Sequence, residues 1–320
     1  MNHRFLMGLT IGFLIMGAVH AQKVLRVIVP FAAGGPVDLT TRWVMQEAQE
    51  PLGLAIVVEN RPGAGGNIGM QAIAQASKDG MTIGVATTAS NALNPWLFTK
   101  LPYHAQSDFQ AITQMLSVPN VLVMNTERAF ELRIHSLGDL IAYAKQHPGA
   151  LNYGSGGNGS AGHLSGEWLK SLAKLEITHI PFNGANPAQT ALLASQVDFN
   201  IDNLASAAMN IKSGKLTALA LTSSQRSGLL PKIPTMSETL PHFEIETWWG
   251  LVSPKGVKEA WIQQLNAVFV KVLKTPQMRL KFATLMAEPQ PNTPEQFDAM
   301  MNSQREKYKA LVQLSGATVD

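Results

Sequence analysis

The chain has no cysteine in its 320 residues. That excludes a disulfide framework, an acylated lipoprotein anchor and all thiolate chemistry. Aromatic residues make up 7% and charged residues 15%. The basic ones are dispersed, so no nucleic-acid surface is expected. The formal charge is +3, and losing Arg4 leaves +3 − 1 = +2, a small positive balance that suits anionic small ligands. The histidines are scattered, with no H-E-x-x-H pair, so no metal is expected, and no cofactor motif stands in its proper setting. Ser155 has Tyr153 where a nucleophile elbow needs glycine. Asp198 and Asp202 lie four apart but form no recognisable carboxylate pair. No assembled nucleophile and base remain, so an enzyme is not expected.

One apolar stretch does occur, Phe5 to Val19, behind Arg4 and ahead of Val19-His20-Ala21. It is short for a membrane span, which needs roughly twenty apolar residues. It reads as a signal peptide over 1–21, cleaved near Ala21, so the protein is expected to be exported. About 300 mature residues suffice for two ordinary domains held by their cores alone.

Beyond it, short apolar runs alternate with amphipathic ones, the signature of an α/β sheet. Val24–Pro30, Leu54–Val58, Met81–Ala86, Asn120–Met124, Ile177–Pro181 and Leu216–Thr222 read as buried parallel strands. Leu164, Trp168, Leu169 and Leu172 form an apolar helix stripe, as do Ile262, Leu265, Phe269 and Val272. Ser136 with Asp139 and Thr293 with Gln296 signal helix starts, and His147-Pro148-Gly149 a stop.

Two glycine-rich turns carry most of the information. Phe31-Ala32-Ala33-Gly34-Gly35-Pro36-Val37-Asp38 and Gly154-Ser155-Gly156-Gly157-Asn158-Gly159-Ser160-Ala161-Gly162-His163 each follow a strand and open a helix. Such turns aim free N–H groups and the positive end of a helix dipole at an anion. Pro36 has no N–H, so donors in the first turn come from Gly35, Val37 and Asp38. Asp38 either caps the turn or accepts from a ligand. Ser155, Asn158 and Ser160 add donors in the second; His163 either packs that turn or faces the ligand. Trp248 reads as core or as a cleft wall. A third cluster, Arg61 to Gly69, has the look of a dinucleotide fingerprint but lacks its strand and ribose-binding acid, and reads as a supporting turn.

The motifs resemble the Bug, or tripartite tricarboxylate transporter, solute receptors. Val29-Pro30-Phe31 with Gly34-Gly35 and Asp38, Val58 to Asn67, Asn94-Pro95, and Pro119 to Val123 carry the likeness. So do Gly157 to Ser160 with Gly162-His163-Leu164, His179-Ile180-Pro181-Phe182, Gln196-Val197-Asp198, Asp202-Asn203, Gly214-Lys215-Leu216, Pro234-Thr235, Trp249-Gly250-Leu251 and Gly316 to Asp320. The resemblance implies a type II periplasmic-binding-protein fold, two α/β lobes with a ligand cleft between them. The reading divides the mature chain into 22–123 and 246–320 for lobe 1 and 124–245 for lobe 2, with hinges near 120–125 and 222–250. It implies a small organic acid held between Phe31–Asp38 and Ser155–Ser160. Thr88, Ser90, Asp202 and Asn203 would also line the cleft. The partners implied are permease subunits, or a sensory receptor if the closed form signals instead, and the protein is expected to be monomeric. Val37 stands where threonine is common and Asn183 where lysine is common. Both departures point away from a tricarboxylate, toward a monocarboxylate or an aromatic acid.

Overall fold

The computed structural model describes residues 23–228 and 230–315, so the expected signal peptide lies outside the described residues. In chain order come β1 (Val24–Val29), α1 (Pro36–Leu52), β2 (Ala55–Asn60), α2 (Asn67–Ala74), β3 (Thr82–Thr87), a π-turn (Thr88–Leu93), α3 (Asn94–Leu97) and the long β4 (Phe109–Asn125). Then follow α4 (Thr126–Glu131), α5 (Leu137–Gln146), β5 (Asn152–Ser155), α6 (Ala161–Ala173), β6 (Thr178–Pro181), α7 (Ala185–Leu193), β7 (Phe199–Asn203), α8 (Leu204–Lys212) and β8 (Leu216–Leu221). The chain closes with β9 (Glu246–Pro254), α9 (Glu259–Leu273), α10 (Pro276–Ala283), β10 (Glu288–Pro289) and α11 (Pro294–Ser315).

The strand order is β2-β1-β3-β9-β4-β7-β5-β6, with β8 and β10 also on β4. Two ladders share β4. Its first part pairs with β9 up to Pro119↔Glu246, and its second part pairs with β7 from Asn120↔Asn203. At about 3.3 Å per residue a 17-residue strand is about 55 Å long, enough to cross the whole molecule. Pro119, which offers no N–H to a ladder, sits where the partner strand changes. The second passage lies beside the first. Thr222 N–H donates to the Asn120 carbonyl at 2.9 Å, Asn120 N–H to Thr222 Oγ1 at 2.9 Å, and Ile245 N–H to the Thr222 carbonyl at 2.9 Å. α11 packs on both the π-turn and α6, so the returning segment touches elements of both ladders.

Two apolar clusters fill the layers, one around Trp248, Tyr153 and Trp168, the other around Trp249, Val44 and Phe269. Ile262, Leu265, Phe269 and Val272 all face the core, as their spacing predicts. Ser136 accepts from Asp139 N–H, and Thr293 and Gln296 form a reciprocal cap. The α/β expectation holds, but two strands read as parallel do not run that way. Residues 120–124 belong to β4 and 216–221 form β8, and these two pair antiparallel. Layers on both faces make an antiparallel strand as apolar as a parallel one, so composition reported burial and not direction. Strands β2 and β6 are ladder ends and only partly covered, and Leu172 is exposed.

Candidate functional site: two amide-lined turns at converging strand ends

The first turn is folded by Asp38. Its carboxylate accepts from Gly34 N–H at 2.9 Å, from Asn60 Nδ2 at 2.8 Å and from Arg42 Nε at 3.0 Å. Burial pushes this carboxyl up, but the Arg42 guanidinium and the Gly34 and Asn60 donors outweigh it and hold it below the usual range. Asn60 Nδ2 also donates to the Phe31 carbonyl at 3.0 Å, closing the loop from the other side. Gly34 adopts φ +81°, which glycine alone takes without strain. Ala32 is exposed, and the ring of Phe31 lies against Gly66, whose missing side chain leaves room for it and for Ser90. Gly35 caps α1 with no side chain over it, and Pro36 opens the helix. Among the described residues no acceptor faces the amides of Gly35, Val37 and Asp38. They are the orphan donors of a helix start.

Rings and a cap build the second turn. Ser160 caps α6 by accepting from His163 N–H at 3.2 Å. Gly159 N–H donates to His163 Nδ1 at 3.1 Å, and Gly157 N–H to Ser155 Oγ at 3.2 Å. His163 is 7% exposed and Ser155 3%. Burial pushes the His163 imidazole down, keeping it neutral. Asn158 is exposed, and Gly157 and Gly159 have positive φ. Among the described residues no acceptor faces the amides of Asn158, Ala161 and Gly162.

Register shows how the two turns are aimed. β1 and β3 are parallel, and β9 and β4 continue the ladder with Thr87↔Trp249 and Pro119↔Glu246. On the other ladder β5 runs parallel to β7, whose last residue Asn203 pairs with Asn120. The carboxyl ends of β1, β3, β5 and β7 therefore all point to the Pro119–Asn120 crossover. That is where open α/β sheets gather their ligands.

The remaining candidates sit nearer the crossover. Thr88 Oγ1 accepts from Trp248 N–H at 2.8 Å, and Thr87 and Ser90 cap each other, so these hydroxyls hold the π-turn on β9. Asp202 accepts from Gln189 Nε2 at 3.0 Å and from Asn203 N–H at 2.7 Å; burial pushes its carboxyl up to about 6. Asn203 caps α8 through Oδ1, which leaves its buried Nδ2 unpartnered. The Trp248 ring packs edge-on to Phe297 at 5.6 Å and lines a cavity of about 430 Å³ with Gln114, Ser223, Arg226 and Gln304. That cavity contains no residue of either turn.

Sequence reasoning passed over three residues. Asn60 ties the first turn, His179 meets Ser155, and Asn120 sits at the crossover with its Nδ2 buried and unpartnered. Asn60 and His179 were visible only as parts of motifs, because their partners are far away in sequence. The third glycine cluster packs closely on the residue after β1: a side chain on Gly69 would start 2.5 Å from Pro30 Cα. Among the described residues no cluster of three metal-ligating side chains occurs, and no helix is long and apolar enough to cross a membrane.

Comparison with known proteins agrees with this architecture. BugT of Bordetella pertussis is 33% identical over 300 residues, covering 93% of this chain and 91% of BugT. The structure of Rhodopseudomonas palustris Rpa4515 with adipate superposes with a TM-score of 0.86 at 29% identity, covering 92% of this chain and 97% of that one. MatC from the same organism, with bound malate, gives 0.82 at 30% identity, covering 90% and 98%. The two-lobed periplasmic-binding-protein fold is therefore the fold of this chain. The profile described as tripartite tricarboxylate transporter family receptor matches residues 40–317, beginning just after the first turn. This chain belongs to that family of solute-binding receptors.

Proposed function

We propose that the protein captures a small organic carboxylate between its lobes and delivers it to a tripartite tricarboxylate-type permease from the periplasm. The observation that carries this reading is the pair of unpaired amide sets, Gly35–Val37–Asp38 and Asn158–Ala161–Gly162, on strand ends that converge on one crossover. Bonds from such donors to a carboxylate are charge-assisted and stronger than neutral ones. Adipate and malate in the two related structures support the ligand class. In this reading lobe 2 spans 124–245, and the lobes pivot at Pro119–Asn120 and at Thr222–Ile245. Phe31, Ala32, Gly34 and Pro36 shape one wall, while Ser155, Gly157, Gly159, Ser160 and His163 shape the other. Asp38 contributes its amide and keeps its carboxylate for the turn.

A thermal-shift screen against mono-, di- and tricarboxylates, with neutral sugars as controls, tests the ligand class. A carboxylate should raise the melting temperature; a response to sugars alone would refute it. Uptake of the best-bound acid by cells holding the permease, with and without this protein, separates delivery from signalling to a sensor. Uptake that does not depend on the protein would leave the sensory role.

A further inference from the structure

Behind the second turn lies a stack of four rings, of which the binding reading uses only His163. Phe199, Tyr153, His179 and His163 follow one another, with centroids 5.6, 4.8 and 4.3 Å apart and successive rings within 26° of parallel. The outer histidine, His163, holds Gly159. The inner one, His179 on β6, places Nε2 2.7 Å from Ser155 Oγ.

Proton counting favours one form of that contact. Ser155 Oγ has one proton and two lone pairs. Gly157 N–H can only donate to it, at 3.2 Å, and the Gly157 carbonyl can only accept, also at 3.2 Å. If the hydroxyl donates to the carbonyl, His179 must be the donor in the third contact, with its proton on Nε2. In the other tautomer the serine hydroxyl donates to Nε2 and the Gly157 carbonyl keeps only its bond from Ser160 N–H. The Nε2–H form is the one that gives all three contacts a hydrogen. Burial and the neighbouring His163 push His179 down to about 4, so near neutral pH the ring is uncharged and has one proton to place.

The tautomer matters because of where Ser155 sits. Its Cβ is 3.5 Å from where a side chain on Gly162 would begin, which puts it under the amino end of α6 beside the free amides. The Gly157 carbonyl already accepts from Ser160 N–H at 3.1 Å. The Ser155 proton can therefore leave that carbonyl without orphaning it.

We infer that His179 is a positioning residue: by donating to Ser155 Oγ through Nε2 it frees the Ser155 hydroxyl proton to serve as a further donor to the bound carboxylate. This rests on the carboxylate reading above. With the proton on Nδ1, Ser155 would instead be consumed by the ring and would turn a lone pair toward the anion, weakening binding. The ring stack fixes the imidazole plane so that Nε2 stays aimed at the serine.

Two measurements test it. Long-range nitrogen–proton spectra of the ligand-free protein at pH 7 read the tautomers directly and should show His179 protonated on Nε2; protonation on Nδ1 would overturn the inference. Calorimetric titration then uses whichever of adipate, malate and benzoate binds the wild type best. His179→Gln, which keeps a donor at the Nε2 position, should bind within about threefold of wild type. His179→Glu, which can only accept when ionised, and Ser155→Ala should both lose about 10-fold or more, and the double variant no more than either. Equal binding by His179→Glu and wild type, or equal loss in His179→Gln and His179→Glu, refutes it. Should His179→Glu fail to fold, Ser155→Ala decides: undiminished affinity refutes. If wild type binds none of the acids, the carboxylate reading falls, while the spectra still judge the tautomer.

Discussion

Asp202→Asn provides a test of the buried crossover that does not depend on any ligand. Asp202 titrates at about 6 in the fold against an ordinary value of 3.8. A raised carboxyl binds its proton more tightly folded than unfolded, so its contribution is least unfavourable below the unfolded value. It becomes more unfavourable as pH rises through 3.8 toward 6, and is constant above that. Between pH 4.5 and 7 this comes to up to about 2 kcal/mol, a ceiling because the residue is only half-buried and solvent screens part of it. The Asn variant lacks the titration. It carries a pH-independent penalty instead, since its new N–H₂ group opposes Gln189 Nε2 unless Gln189 turns, and Gln189 is held by Asn210 at 2.8 Å. Urea unfolding of both proteins across that range should show the variant gaining on wild type by about 1–2 kcal/mol as pH rises. His163 and His179, both pushed down by burial, pull the opposite way, losing stability as pH falls below 6.5, but they are common to both proteins and cancel in the difference. A stability difference independent of pH would refute the burial argument.

Gly35→Val is the cleaner way to block the first turn: φ there is −79° and the nearest atom to the added Cβ is the Ala32 carbonyl at 3.7 Å, so the fold should hold while acid binding falls at least about 100-fold by titration. Gly159→Val is confounded, because its φ of +78° makes any side chain strained. Gly69→Ala should cost about 1–3 kcal/mol in thermal unfolding, since its Cβ would press on the Pro30 backbone; a neutral result would mean the third glycine cluster does not brace β1. Acid affinity should change less than about threefold between 0.05 and 0.5 M salt, because Arg42 is held by Asp38 and Lys170 by Glu167, leaving neutral dipoles to bind the anion. A steep salt dependence would point to a cation in the site.

The fold class was legible because periodicity reports burial. The helix stripe at Ile262, Leu265, Phe269 and Val272 and the caps at Ser136 and Thr293 are local signals, and local signals survive in sequence. Strand direction does not. The antiparallel pairing of β4 with β8 depends on a partner some hundred residues away, and the same apolar run would suit either direction. Short strands were harder to bound: β5, four residues with a glycine, was legible only as the strand ahead of the second turn, and β7 alternates Asn and Asp with apolar residues. Among the candidate site residues, the glycine turns stand out through composition. Asn60 and His179 could not, since what makes each matter is one distant hydrogen bond. Trp248 reads identically as wall or core in sequence; in the fold the residue is 2% exposed, with its ring edge-on to Phe297.

On the proposed reading, a receptor that binds by amides and not cations has a built-in reason to need both lobes. A hydrogen bond to a charged group contributes about 1.5–3 kcal/mol net, so the three free amides of one turn supply about 4.5–9 kcal/mol. Immobilising a ligand costs about 4–15 kcal/mol, which is of the same order, so one turn leaves little or no surplus. In this reading one lobe alone holds an acid weakly, and the second set of amides supplies the surplus. Because that second set lies on the other ladder, beyond the Pro119–Asn120 crossover, the added bonds form only in an arrangement that brings both turns onto the same ligand. The ligand then has differential affinity for that arrangement, which is the one condition under which binding shifts a conformational equilibrium.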